Sequence, residues 1–169
     1  MMTNTAIFSP PPSTSQMALP DDLATVLSQN YPLASVSTVN NPDGSKDIWV
    51  WDSNNKYAFT SMDFHKNSLD QLTLETDNWD GGVKSVTEYD YNHQSDWEHT
   101  RYVFSPSGEV ESYHYYLDNG SHDDVYFDWD NEDSHAWRDY HYDYWTQFGG
   151  HLQYMMTVYD DGTKQTEWY

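Results

Sequence analysis

Acids, histidines and aromatic rings are the residues of this chain whose types and spacing could do chemistry. The run Asp128-Trp129-Asp130-Asn131-Glu132-Asp133 alternates carboxylates. Asp128, Asp130, Glu132 and Asp133 are therefore the candidate calcium ligands. A helix-flanked calcium loop needs Gly at its sixth position and Glu at its twelfth. Here those positions hold Asp133 and Asp139, so the run also reads as a solvated acidic loop. No other cofactor is expected. The histidines His114, His122, His135, His141 and His151 crowd the second half without metal-binding spacing such as HExxH. Eight histidines in all would lower the net negative charge as pH falls through about 6. With 28 acids, some pair will always lie at glycosidase spacing, so acid pairing carries no weight by itself. The chain has no cysteine, no GxSxG and no glycine-rich phosphate loop, so no catalytic residue is assigned. The rings are more informative. Trp97, Trp137, Tyr142, Tyr144 and Trp145 would form an aromatic binding face on which a sugar or a protein side chain could stack, with Asp side chains accepting hydroxyl protons.

Charge narrows the partners. The 169 residues carry a formal net charge of −21 and only seven Lys and Arg. Phosphate backbones attract cations, so nucleic acid is excluded as a partner. No apolar run approaches the ~20 residues that span a bilayer as a helix, so no membrane insertion is expected. A basic protein or a neutral glycan fits. The sequence from Met1 lacks the basic and apolar regions of a cleaved signal, so the location stays open between the cytosol, export without a cleaved signal and a leader missing from this sequence, with signal-independent export slightly favoured over the cytoplasm.

These residues are positioned by a repeated phrase. Turns at Pro42-Asp43-Gly44-Ser45, Trp79-Asp80-Gly81-Gly82, Asp118-Asn119-Gly120-Ser121 and Asp160-Asp161-Gly162-Thr163 open each copy. Taken at Gly44, Gly81, Gly120 and Gly162, the intervals are 37, 39 and 42 residues. An aromatic-Asp pair follows the first three turns: Trp51-Asp52, Tyr89-Asp90 and Trp129-Asp130. Period-2 segments between short Gly, Asn and Pro turns predict hairpins in series. The expected strands are 47–52, 57–64 and 71–75, then 84–91, 98–104 and 109–117, then 124–130, 137–145 and 151–159, and finally 164–169. From residue 76 onward there are eight Val and Leu against 22 Phe, Trp and Tyr, so any core there is aromatic. Residues 1–18, rich in Ser, Thr and Pro, are expected to be a disordered tail. Residues 19–169 form a single domain with repeats over 43–79, 80–118, 119–160 and 161–169. Leu19 to Tyr31 is the one helix, with Pro20 in its first turn, Asp21 and Asp22 at its start, and an apolar stripe of Leu19, Leu23, Val26 and Leu27.

The segment Leu19-Pro20-Asp21-Asp22-Leu23 leading to Gln29-Asn30-Tyr31-Pro32-Leu33-Ala34-Ser35-Val36, then a strand, a turn and a strand, resembles the PepSY-like, β-lactamase-inhibitor-like periplasmic family over about residues 19–75. That resemblance implies an exported, non-catalytic bacterial protein with its helix packed on an antiparallel sheet. Tyr89-Asp90, Gly108-Glu109-Val110, Gly150-His151-Leu152 and Asp160-Asp161-Gly162-Thr163 resemble YD-type and DDG-type repeats of secreted RTX-type bacterial proteins over about residues 43–169. This second likeness implies a link to extracellular adhesion or toxin shells.

The expected fold is mainly β, α+β at the N-terminus: one short helix on an extended, repetitive antiparallel meander of about ten strands, with a closed or half-closed barrel as the alternative. The expected function is a non-enzymatic interaction module holding a protein or glycan on an acidic, Tyr- and Trp-rich sheet face. Two alternatives stand beside it. One is an acidic inhibitor or immunity-type protein that docks onto a basic enzyme. The other is a small hydrolase or calcium-binding protein. The last strand could also serve as a dimer edge.

Overall fold

The computed structural model describes residues 22–128, 137–145 and 151–169, the middle segment by its strand pairing. One helix, α1 (Leu23–Asn30), precedes eleven described strands. These are β1 (Ser35–Asn40), β2 (Lys46–Trp51), β3 (Phe59–Lys66), β4 (Leu72–Trp79), β5 (Lys84–Tyr89), β6 (Trp97–Phe104), β7 (Val110–Leu117), β8 (His122–Phe127), β9 (Trp137–Trp145), β10 (His151–Tyr159) and β11 (Lys164–Trp168). Each strand pairs antiparallel with the next, so the sheet order is the sequence order. The expected tail over residues 1–18 lies outside the described residues.

The sheet is open, and the barrel alternative is corrected. Closure needs a stagger that accumulates from strand to strand. Here the row Asp47, His65, Leu74, Glu88, Thr100, Tyr115, Asp123, Asp143, Tyr154, Trp168 crosses from β2 to β11 near one end of the strands, so little stagger builds up. β1 and β11 therefore stand at opposite edges, and β11 is exposed along its length.

α1 starts where Asp22 Oδ1 accepts from Thr25 N at 3.1 Å and ends where Tyr31 N donates to Leu27 O at 2.8 Å. Asp22 is thus the N-cap, not a first-turn residue as expected, because its side chain satisfies an amide the helix leaves unpaired. Leu23 and Leu27 enter a core of Ile48, Val50, Phe59, Met62, Phe64 and Leu72. Tyr31 closes its edge, with ring centroids 5.2 Å from Tyr57 and 5.1 Å from Phe59. The buried members of this aliphatic and Phe core come from α1 and from β2 to β4, with Val36 of β1 and Tyr89 of β5 packed against them; among the described residues no helix covers the sheet beyond.

The repeat is stricter than the glycine spacing suggests. The amides that close the turns are those of Gly44, Gly82, Gly120 and Gly162, donating to Asn41, Trp79, Leu117 and Tyr159. Gly82, not Gly81, is therefore equivalent to Gly44, and the intervals become 38, 38 and 42 residues. Other features recur at the same 38-residue step. Asn55 and His93 both have positive φ, and Asp52 N and Asp90 N donate to Thr60 O and Glu98 O. Asp52 Oδ2 accepts from Lys56 N at 2.5 Å and Tyr57 N at 2.6 Å, which holds that segment as a loop and delays β3 to Phe59. Asp90 Oδ2 accepts from Ser95 N at 2.7 Å in the second copy.

Each repeat contributes three strands: β2–β4, β5–β7 and β8–β10. After three antiparallel strands the next repeat starts in the opposite direction, since β5 runs antiparallel to both β4 and β2. The only operation that advances along the sheet while reversing the strands is a twofold screw, and it turns the sheet over. Equivalent residues in successive repeats therefore point to opposite faces. Val50 and Met62 pair on the face that α1 covers, here the helix face. Their equivalents Glu88 and Thr100 pair on the other, the far face.

Gly82 has φ +90, and an added Cβ would sit 3.2 Å from Pro106 Cβ, whereas Gly81 at φ +88 has open space. Both Ala variants should lose about 1–2 kcal/mol from the left-handed backbone alone. Gly82→Ala should lose measurably more than Gly81→Ala in urea unfolding, and equal losses would show that the Pro106 contact does not constrain the turn.

Candidate binding face

Past the edge of α1 the helix face changes from apolar to polar within one strand. Glu75 and Asp77 alternate along β4, opposite Phe64 and Met62 of the core on one side and Thr87 and Ser85 on the other. Ser85 Oγ donates to Asp77 Oδ2 at 3.0 Å and accepts from Trp79 Nε1 and Arg101 Nη2, each at 3.3 Å. Tyr89 OH donates to Glu75 Oε2 at 2.9 Å. Asp77 Oδ1 and Arg101 Nε are buried without a hydrogen-bond partner among the described residues.

Burial, then the neighbouring Asp77 charge, pushes the Glu75 carboxyl up to about 7. Burial also raises Asp77, against the pull of Ser85 and Arg101. The two carboxyls lie within hydrogen-bonding reach. A protonated Glu75 can donate to Asp77 where two charged carboxylates would repel. This closeness also separates the pair from glycosidase chemistry, which needs room for substrate between its carboxyls.

A ladder of rings continues across the same face. Ring centroids run Tyr91–Tyr89 6.2 Å, Tyr89–His99 5.7 Å, His99–Tyr116 4.1 Å and Tyr116–His122 5.4 Å. Burial and then Arg101 hold the His99 ring down to about 4, so it stays neutral while an ordinary histidine titrates. Burial raises Tyr116, helped by Asp124. In the adjacent row His114 Nδ1 meets Asp124 Oδ1 at 2.6 Å and Ser112 Oγ meets His114 Nε2 at 3.2 Å. His122 Nε2 lies 3.9 Å from Asp124 Oδ2. Asp124 thus ties the two histidines together across β7 and β8.

The far face carries other rings. Trp49 and Trp51 stack at 5.7 Å, and the Tyr102 and Tyr115 hydroxyls meet at 3.4 Å. That hydroxyl contact, with burial, pushes Tyr102 up to about 12.

Of the rings expected to form the platform, Tyr142 pairs with Asp124 and Met155, and Tyr144 with His122 and Leu152. By register both continue the helix-face rows. Trp97 pairs with Leu117, which alternates with Tyr116 and so belongs to the far face. Trp137 stands opposite Tyr159 and Trp145 opposite His151. Trp145 follows Tyr144 and so falls in a far-face position. The register thus divides the expected platform between two faces. Of the expected calcium ligands, Asp130, Glu132 and Asp133 lie outside the described residues. Asp128 follows Asp90 at the same 38-residue step that separates Asp90 from Asp52, where the acid caps a loop. Among the described residues no group of three or more His, Cys, Asp or Glu could hold a metal. Glu75, Asp77, Tyr89, His99 and Tyr116 were not expected as a site. Their signal is strand count: three strands per repeat turn the second copy over, which brings its polar side next to the helix.

Among known proteins, no family model matches the chain and no curated protein is significantly similar to it.

Glu75 keeps its proton to about pH 7 in the fold but only to its ordinary 4.5 when unfolded. The stability this contributes is full below 4.5 and is lost as pH rises through about 7. His99 has the opposite sign: it is depressed from 6.5 to about 4, so its contribution is present above 6.5 and lost as pH falls through about 4. Glu75→Gln keeps a donor for Asp77 and removes the titration. Thermal unfolding should therefore show Glu75→Gln gaining on the parent chain between pH 5 and pH 8, by several degrees or more. A parallel pH profile for the two proteins would refute the proton held at Glu75.

Proposed function

We propose that the chain is a non-enzymatic binding module that holds a basic protein on the helix face beyond α1, over β5–β9. The supporting observation is the division of that face. α1 backs only the first strands, and the rest presents the Tyr89–His99–Tyr116–His122 ladder beside the Asp124-linked histidines on a chain of net charge −21. The ladder holds its own rings in place, so they are preorganised, and binding costs little side-chain ordering. The acidic charge steers a basic partner and disfavours an acidic one. An inhibitor or immunity-type protein acting on a basic enzyme is the specific form of this reading that the charge favours. The ring ladder itself favours a second reading, a glycan stacked on it.

Titration with folded basic proteins should show affinity that falls steeply between about 0.05 and 0.5 M salt as charge screening shortens. Tyr91→Ala combined with His122→Ala should weaken binding by roughly tenfold while lowering the thermal midpoint by only a few degrees. Retention on immobilised glycans that survives high salt would favour the glycan. Loss of neither interaction in the double variant would remove the helix face from consideration.

A further inference from the structure

Leu23 and Leu27 of α1 share one core cluster with Ile48, Val50, Phe59, Met62 and Phe64 of β2 and β3. One repeat later the same positions are Val86, Glu88, Trp97, Thr100 and Tyr102. The pairings repeat as well. Ile48 opposite Phe64 becomes Val86 opposite Tyr102, and Val50 opposite Met62 becomes Glu88 opposite Thr100. The screw places this second footprint on the far face, and α1, the only described helix, lies on the other face. Val86, Trp97 and Tyr102 keep it apolar and aromatic. Its centre differs: Val50 is fully buried beneath α1, whereas Glu88 is exposed.

We propose that the far face of β5 and β6 is a docking surface for one basic amphipathic helix of a partner protein, seated as α1 is seated on the first repeat. The apolar stripe of such a helix, at the i, i+4 spacing of Leu23 and Leu27, matches Val86, Trp97 and Tyr102. A single Lys or Arg within the stripe meets Glu88 at the centre of the footprint, and the net charge of −21 rejects an acidic helix. This surface is separate from the ring ladder and does not depend on its function.

The test uses the full chain, a synthetic Leu/Lys amphipathic helix of about four turns and a Leu/Glu counterpart, with binding followed by calorimetry. The Leu/Lys peptide should bind saturably and the Leu/Glu peptide should not. Glu88→Lys should weaken binding by roughly tenfold. Glu167→Lys, the same charge change at an exposed β11 position, should weaken it by less than about twofold. Tyr91→Ala with His122→Ala should leave it intact. Equal losses in Glu88→Lys and Glu167→Lys would mean bulk charge attraction and overturn the proposal. Loss in the Tyr91 and His122 double variant would move the peptide to the helix face and overturn it equally. Absence of saturable binding overturns it while leaving the helix-face reading to its own salt and glycan experiments.

Discussion

An odd number of strands per repeat is the constraint on which the rest of this structure depends. Antiparallel neighbours alternate in direction, so a three-strand unit must be turned over before it can be appended to itself. One sequence phrase is thereby read alternately from its two sides. In the first copy, the side bearing Ile48, Val50, Met62 and Phe64 faces α1 and becomes a core. In the second copy, the side bearing Ser85, Thr87, Tyr89, His99 and Arg101 comes to the same face. Each face therefore alternates between the chemistry of the two sides, at a seam between β4 and β5. The buried polar cluster stands at that seam because Glu75 and Asp77 have core residues on one side and polar residues on the other.

The same inversion explains why a thin sheet can persist without a continuous core. A helix and one sheet face bury enough apolar surface to anchor β2–β4, where Val50 and Phe59 are almost wholly enclosed. Beyond that, cross-strand contacts take over. Ring-to-ring neighbours such as His99 and Tyr116, hydroxyl pairs such as Tyr102 and Tyr115, and carboxylate–imidazole pairs such as Asp124 and His114 each contribute modestly but recur along every row. Large rings shield the backbone ladder, so small residues between them, Ser85, Thr100 and Ser112, are buried with no second layer over them among the described residues. Aromatics replace aliphatics here because a ring can cover its neighbours while leaving a polar edge in water.

The meander was legible because DG turns and period-2 alternation are local signals, each fixed within a few residues. The helix was legible from its stripe, though Asp22 caps it from outside instead of occupying its first turn. Strand ends were less legible. β3 begins at Phe59 because a carboxylate, Asp52, captures two backbone amides, an interaction that sequence alternation does not report. Taking Gly81 in place of Gly82 as the repeat marker hides the 38-residue step that the first two intervals share. By register Trp97 falls in a different row from Tyr142 and Tyr144, which composition does not report. Richness in rings identifies a surface only after register and face are known, and register depends on bulges such as the one between Trp97 and His99.

Burial at the seam also changes how the chain's many titratable groups act together. Eight histidines on an acidic chain suggest a response near pH 6, yet His99 is neutral there and Glu75 is protonated there. Their contributions to stability slope in opposite directions over the interval where both titrate in the unfolded chain, so they largely cancel. The centre of the helix face is thereby held near neutral while the surrounding surface stays strongly acidic. A partner approaching from solution meets the long-range field first and the ring ladder last. Charge then governs encounter, and stacking governs how long the complex persists.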